Sequence, residues 1–157
     1  MKIQLADAEA TQKLGIQLGR SLSPGCTILL AGNLGSGKTT LVQGIGKGLG
    51  IKETIDSPTF TLINEYMNGR IPLYHFDCYR LQPEEIDSLN PELYWEGIEV
   101  EPGIVAIEWA ERLNYKPECY LQIQLNHTET GQRQADIIAV GFELPIELSH
   151  DAFMSKS

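Results

Sequence analysis

Eight consecutive residues, Gly32-Asn33-Leu34-Gly35-Ser36-Gly37-Lys38-Thr39, constrain this chain more than any others. They satisfy G-x-x-x-x-G-K-[ST], the pattern of a loop that cradles phosphates, at every fixed position. The flanks have the character such a loop needs. Ile28-Leu29-Leu30-Ala31 is an apolar run suited to a buried strand, and a helical apolar periodicity begins near Lys38. Glycines let successive backbone N–H groups turn inward around an anion where a Cβ would intrude. The following helix adds the positive end of its dipole. Lys38 can reach terminal phosphates as a flexible point charge, and the Thr39 hydroxyl is placed to ligate magnesium. The alternative is a glycine-rich turn that only caps a helix.

The rest of the chain reads as one α/β domain over 1–157, with a mixed parallel and antiparallel central sheet flanked by helices. A first helix is expected over 7–21, capped by Asp7 and broken by Ser23-Pro24-Gly25. Strand 26–31, the loop, and a helix from Lys38 to Leu49 closed by Gly50 follow. Residues 57–66 alternate as a strand after Pro58. Asn68-Gly69 predicts a tight two-residue hairpin turn, and 71–77 the return strand. Pro83-Glu84-Glu85-Ile86 opens a short helix that Asn90-Pro91 ends, and another short helix spans Leu93 to Trp95. Gly103-Ile104-Val105-Ala106-Ile107-Glu108 reads as a central strand buried on both faces, followed by a helical turn near Ala110. Alternation over 120–125 and 135–140, separated by Thr130-Gly131, predicts a second hairpin. The tail from about Pro145 is expected to pack loosely.

Composition limits the function classes. The chain has 157 residues, 42% hydrophobic and 21% charged, typical of a globular domain. No apolar stretch approaches the roughly 20 residues that span a bilayer, and the first residues lack a signal-peptide core, so a cytoplasmic location is expected. The net charge of −9 argues against an unaided grip on RNA or DNA and favours protein partners. Cys26, Cys78 and Cys119 form no C-x-x-C pair and are expected to be small buried apolar residues. His75, His127 and His150 are scattered, which disfavours a histidine metal site.

A phosphate loop needs acids to hold its metal and to orient an attacking group. Asp77 and Glu108 each end an apolar strand, where α/β sheets bind ligands. A strand ending in Glu108 beside the strand ending in Ala31 would bring this carboxylate to Thr39. The alternatives are an ion pair of Glu108 with Arg112, and a cap or an Arg80 partner for Asp77. Thr59 and Thr61 are candidate γ-phosphate sensors of a switch segment, or else ordinary β-branched strand residues. No Asn-Lys-x-Asp segment reads guanine. The five arginines are dispersed, which weighs against a kinase lid and leaves no obvious arginine finger in cis. Slow turnover accelerated by a partner is expected. A small-molecule kinase and a non-hydrolysing, nucleotide-dependent adapter are the competing readings.

Four blocks in order, Gly-Asn-Leu-Gly-Ser-Gly-Lys-Thr-Thr (32–40), Ser-Pro-Thr-Phe-Thr-Leu (57–62), His-Phe-Asp-Cys-Tyr-Arg-Leu (75–81) and Ile-Glu-Trp (107–109), resemble the TsaE family. The resemblance runs from about residue 5 to 140 and implies a single P-loop NTPase-type domain. It implies ATP as substrate, Mg2+ as cofactor, and TsaD and TsaB as partners in threonylcarbamoyladenosine modification of tRNA. The ATPase would be weak alone, stimulated by the complex, and would not transfer the carbamoyl group. Nucleotide binding falls on Gly32, Leu34, Gly35, Ser36, Gly37, Lys38, Thr39 and Thr40. Metal binding falls on Thr39 and Glu108, and catalysis on Lys38, Asp77 and Glu108. Trp109 matches an aromatic beside the site, and Thr59 and Thr61 the switch. Arg133 matches a Gly-Arg block near the nucleotide, although the spacing here is Gly131-Gln132-Arg133. Many members carry proline after Glu-Trp, where this chain has Ala110.

Overall fold

The computed structural model describes residues 1–33, 35–58, 62–129 and 131–144. The elements are β1 (Lys2–Leu5), α1 (Ala8–Ser21), β2 (Thr27–Gly32), α2 (Lys38–Leu49), β3 (Ile63–Tyr66), β4 (Leu73–Asp77), α3 (Pro83–Ser88), α4 (Glu92–Glu96), β5 (Ile104–Glu108), β6 (Tyr120–His127) and β7 (Arg133–Val140), with a 3-10 turn at Ala110–Arg112. The strands form one seven-stranded sheet in the order β1-β7-β6-β2-β5-β4-β3. β2 pairs in parallel with β5 and β6, and β5 in parallel with β4. Antiparallel pairs β1–β7, β6–β7 and β3–β4 complete the edges. The sheet is therefore mixed, as its pattern implies.

α1 and α2 cover one face, burying Leu14, Leu18, Leu41 and Ile45 against Ile28, Leu30 and Ile123. The other face holds Leu29, Tyr74, Phe76, Val105 and Ile107 beneath α3 and α4. A strand buried on both faces can be apolar at every position, and all five residues of β5 are buried. Asp7 caps α1, its Oδ1 accepting from the Ala10 N–H at 2.8 Å. α3 begins with Pro83 and a Gln82–Glu85 capping box. α1 and α2 touch backbone to backbone. A Cβ on Gly15 would lie 2.3 Å from the Leu41 carbonyl oxygen, and one on Gly44 the same distance from that of Gln12.

Four expectations need correction. β1 is an additional strand, stabilised by pairing of Ile3 with Ala135 on β7. Of the strand expected over 57–66, Ile63–Tyr66 forms β3; Ser57 and Pro58 are not strand, Leu62 has a left-handed φ of 65°, and 59–61 lie outside the described residues. Asn68-Gly69 does not form a two-residue turn, because the β3–β4 register closes at Tyr66↔Leu73. The intervening loop is drawn onto the helices instead. The Arg70 N–H donates to the Leu49 carbonyl at 2.7 Å, and its Nη2 donates to the carbonyls of Gly19 and Leu22 at 2.8 and 2.7 Å. Finally, only Cys78 is buried, whereas Cys26 is half-buried and Cys119 exposed. The tail beyond 144 lies outside the described residues. Among those residues no helix is long and apolar enough to cross a membrane.

Candidate functional site

The site lies at the carboxyl ends of the parallel strands. In register, Leu30 of β2 sits beside Glu108 of β5, Asp77 of β4 on the far side of Glu108, and Gly32 beside Leu125 of β6. The glycine loop leaves β2 at Gly32 and enters α2 through Gly37, whose φ of 107° suits a residue without Cβ. The Ser36 N–H donates to the Asn33 carbonyl at 3.0 Å, and the Leu41 N–H to that of Gly37 at 2.9 Å, starting the helix.

Lys38 is folded back over the loop. Its Nζ donates to the carbonyls of Gly32 and of Asn33, the latter at 3.1 Å, and lies 4.0 Å from the centre of the Trp109 ring. Burial lowers its pKa, opposed by the negative charges of Glu108, Glu111 and Asp77. An ammonium held by carbonyls and an aromatic face is a counter-charge waiting for stronger acceptors.

Facing the loop is a cavity of about 380 Å³. Gly35, Ser36, Gly37, Lys38, Thr39 and Thr40 form one wall. Asp77, Glu108, Trp109 and Arg133 close it with Ser57 and Tyr79. Gly32 contributes its carbonyl to Lys38 rather than a wall. Leu34, Thr59 and Thr61 lie outside the described residues. The cavity thus gathers every other residue singled out in the sequence.

Its centre is an oxygen cluster. Thr39 Oγ1 is 3.3 and 3.2 Å from the two carboxylate oxygens of Glu108 and 2.9 Å from Ser57 Oγ. Hydroxyl and carboxylate oxygens are the donors magnesium takes, together with water and phosphate oxygens. Among the described residues no group of three or more His, Cys, Asp or Glu could hold a metal. A metal completed by a nucleotide fits this donor set better than an all-protein cage.

Glu108 is 3% exposed, and its Oε2 lies 2.5 Å from Nε2 of His75, which is wholly buried. Arg112 is not its partner; that Nη1 approaches the Leu81 carbonyl at 3.5 Å. Asp77 Oδ1 accepts from the Tyr79 N–H at 3.0 Å, so the acid caps the turn after β4 while facing the cavity. No Asp77–Arg80 ion pair occurs among the described residues. Burial raises the Asp77 pKa and Glu108 adds to the rise, against the Tyr79 N–H, His75 and Lys38.

Trp109 holds a left-handed φ of 59°, and its ring lies 4.9 Å from that of Tyr79, centre to centre. Arg133, at the head of β7, brings Nη1 to 3.2 Å from where a Cβ on Gly37 would stand. That nitrogen is buried and has no hydrogen-bond partner among the described residues. A buried guanidinium nitrogen without an acceptor suits an incoming anion.

Sequence reasoning placed Ser57, Tyr79 and His75 inside the family blocks but gave none of them a role in the site. Ser57 and Tyr79 come from loops, which carry no periodicity. His75 had a signal, since it lies two residues before Asp77 on the same strand face.

The family model described as "Threonylcarbamoyl adenosine biosynthesis protein TsaE" matches residues 5–135. A tRNA threonylcarbamoyladenosine biosynthesis protein TsaE of Nostoc sp. is 65% identical over 87% of this chain and 84% of its own length. The TsaE of Bacillus subtilis is 36% identical over 90% of this chain and 87% of its own. The crystal structure of B. subtilis YdiB superposes with a TM-score of 0.74 at 33% identity, covering 90% of this chain and 86% of that one.

Proposed function

This chain belongs to the TsaE family, and from that premise we propose that it is a magnesium-dependent, weak ATPase supporting tRNA threonylcarbamoyladenosine biosynthesis. It acts on the TsaD–TsaB complex in the cytoplasm and does not itself transfer the carbamoyl group. The observation that carries this proposal is the Thr39–Ser57–Glu108 oxygen cluster facing the glycine loop.

The placement of each group supports the role proposed for it. The backbone N–H groups at the start of α2 receive the phosphates of ATP. Lys38 exchanges the Gly32 and Asn33 carbonyls for phosphate oxygens, which accept more strongly because they are charged. Arg133 offers its unpartnered nitrogen to the same anion. Thr39 and Glu108, with Ser57 beside them, would hold magnesium, which would supply positive charge to the terminal phosphates of the nucleotide. Glu108 is engaged with His75 and Thr39, which leaves Asp77 to orient the attacking water. The 59–61 segment, between Ser57 and β3, is the proposed γ-phosphate sensor.

Phosphate release measured with and without TsaD and TsaB tests this. Slow release alone and a clear rise with the partners are expected, and Glu108→Ala should abolish the stimulated rate while ATP still binds. No release under either condition would favour the adapter. A phosphorylated metabolite formed from labelled ATP would favour the kinase.

A further inference from the structure

Resting on the proposal that Glu108 serves a magnesium–nucleotide site, we infer that His75 is the positioning residue that orients this carboxylate. The strand register sets the geometry. β4 and β5 are parallel, with His75 opposite Ala106 and Asp77 opposite Glu108. Alternate residues share a face, so the imidazole lies one pair deeper in the sheet than the two acids. From there Nε2 reaches Oε2 of Glu108 at 2.5 Å. Thr39 approaches the carboxylate from the loop side. Glu108 is thus gripped from behind by a ring and met in front by a hydroxyl.

His75 has no evident packing reason to be a histidine. It is 0% exposed within a strand whose other buried members are Leu73, Tyr74 and Phe76. An imidazole there is costly unless it makes a hydrogen bond. Its Nδ1 has no partner among the described residues, so the bond to Glu108 is its polar engagement. A neutral ring carrying its proton on Nε2 donates to the carboxylate and leaves only an acceptor unpaired. The consequence falls on Glu108. Without this donor its flexible side chain could turn toward Lys38, or toward the protein hydroxyls alone, and present no fixed oxygen to a metal.

Calorimetric titration of the full chain with ADP over a series of magnesium concentrations tests the inference, with folding checked by circular dichroism. His75→Phe keeps a ring but no donor, and His75→Gln keeps an N–H at similar reach. His75→Phe should raise the magnesium concentration needed for half-maximal ADP binding roughly tenfold or more, the scale of lost outer-sphere support. Magnesium-free ADP binding should stay at the wild-type level, and His75→Gln should recover most of the magnesium response. A wild-type response in His75→Phe, or an equal loss in both variants, would overturn the inference. Glu108→Gln is measured in parallel. If it leaves the magnesium response intact, the metal-site proposal itself fails; if it alone shifts the response, only the role of His75 fails. Nitrogen-15 spectra of the wild-type protein need no folded His75 variant. A protected His75 Nε2–H signal that moves in Glu108→Gln is expected, and a signal indifferent to that change would also overturn the inference.

Discussion

Asp77 carries a burden that the apolar part of its strand does not. Burial, reinforced by Glu108, raises its pKa, so the folded protein holds the proton more tightly than the unfolded chain does. The sign follows from linkage. Stability due to this group is fully present below the ordinary carboxylate range and is lost as pH rises through the folded value. Asp77→Asn is therefore expected to raise the nucleotide-free melting temperature at pH 8 by roughly 1–3 °C, the scale of about a kcal/mol or less in a chain this size. The gain should vanish near pH 3, where both proteins are uncharged at this position. Calorimetric melts across pH check this, and the same variant should lower phosphate release. Lys38→Ala should weaken ATP binding by about 1.5–3 kcal/mol, the scale of a charged hydrogen bond. Equilibrium binding of ATP measures it, and an unchanged affinity would remove Lys38 from the phosphate site.

At the scale of elements, α1 and α2 pack backbone to backbone. Gly44→Ala would press a methyl group against the Gln12 carbonyl and the Gly15 Cα, both backbone atoms that cannot rotate away. A loss of about 1–3 kcal/mol or more is expected, lowering the melting temperature by roughly 2–4 °C per kcal/mol. Lys13→Ala, on the exposed side of α1, should fall within about 0.5 kcal/mol of wild type. Thermal unfolding of the two variants checks the contrast. The two long helices, β2 and β5 were legible because their signals are local: periodicity, a cap at Asp7, a glycine at 50, and an unbroken apolar run ending in Glu108. β1 was not, because four residues form a strand only by pairing with β7, far along the chain. The Asn68-Gly69 turn was misread for the same kind of reason. Its local preference yields to Arg70, which binds carbonyls at the ends of both helices. In the site, Lys38, Thr39 and Glu108 announce themselves by motif or strand end. Ser57 and Tyr79 enter on loops whose paths are set by packing. His75, although it opens a family block and shares a strand face with Asp77, lies inside a run that reads as core and so was given no role.

The molecule as a whole is acidic, with a net charge of −9. Such a surface repels a phosphate backbone and attracts basic patches on protein partners. No retained complex with tRNA alone is expected in an electrophoretic shift at physiological salt. If the proposed partners present such basic patches, the association rate with TsaD–TsaB should fall as salt rises, read by stopped-flow mixing. A salt-independent rate would detach the charge from the encounter. The sheet order also governs when the site can exist. β2, which launches the glycine loop, finds its neighbours only much later in the chain, Thr27 beside Val105 and Ile28 beside Leu121. On a ribosome adding about 5–20 residues per second, the loop would emerge many seconds before the strands that hold it. Until β5 and β6 have been made, the nascent chain carries the loop sequence without a nucleotide site, and the ability to respond to ATP waits on strands far downstream of the loop.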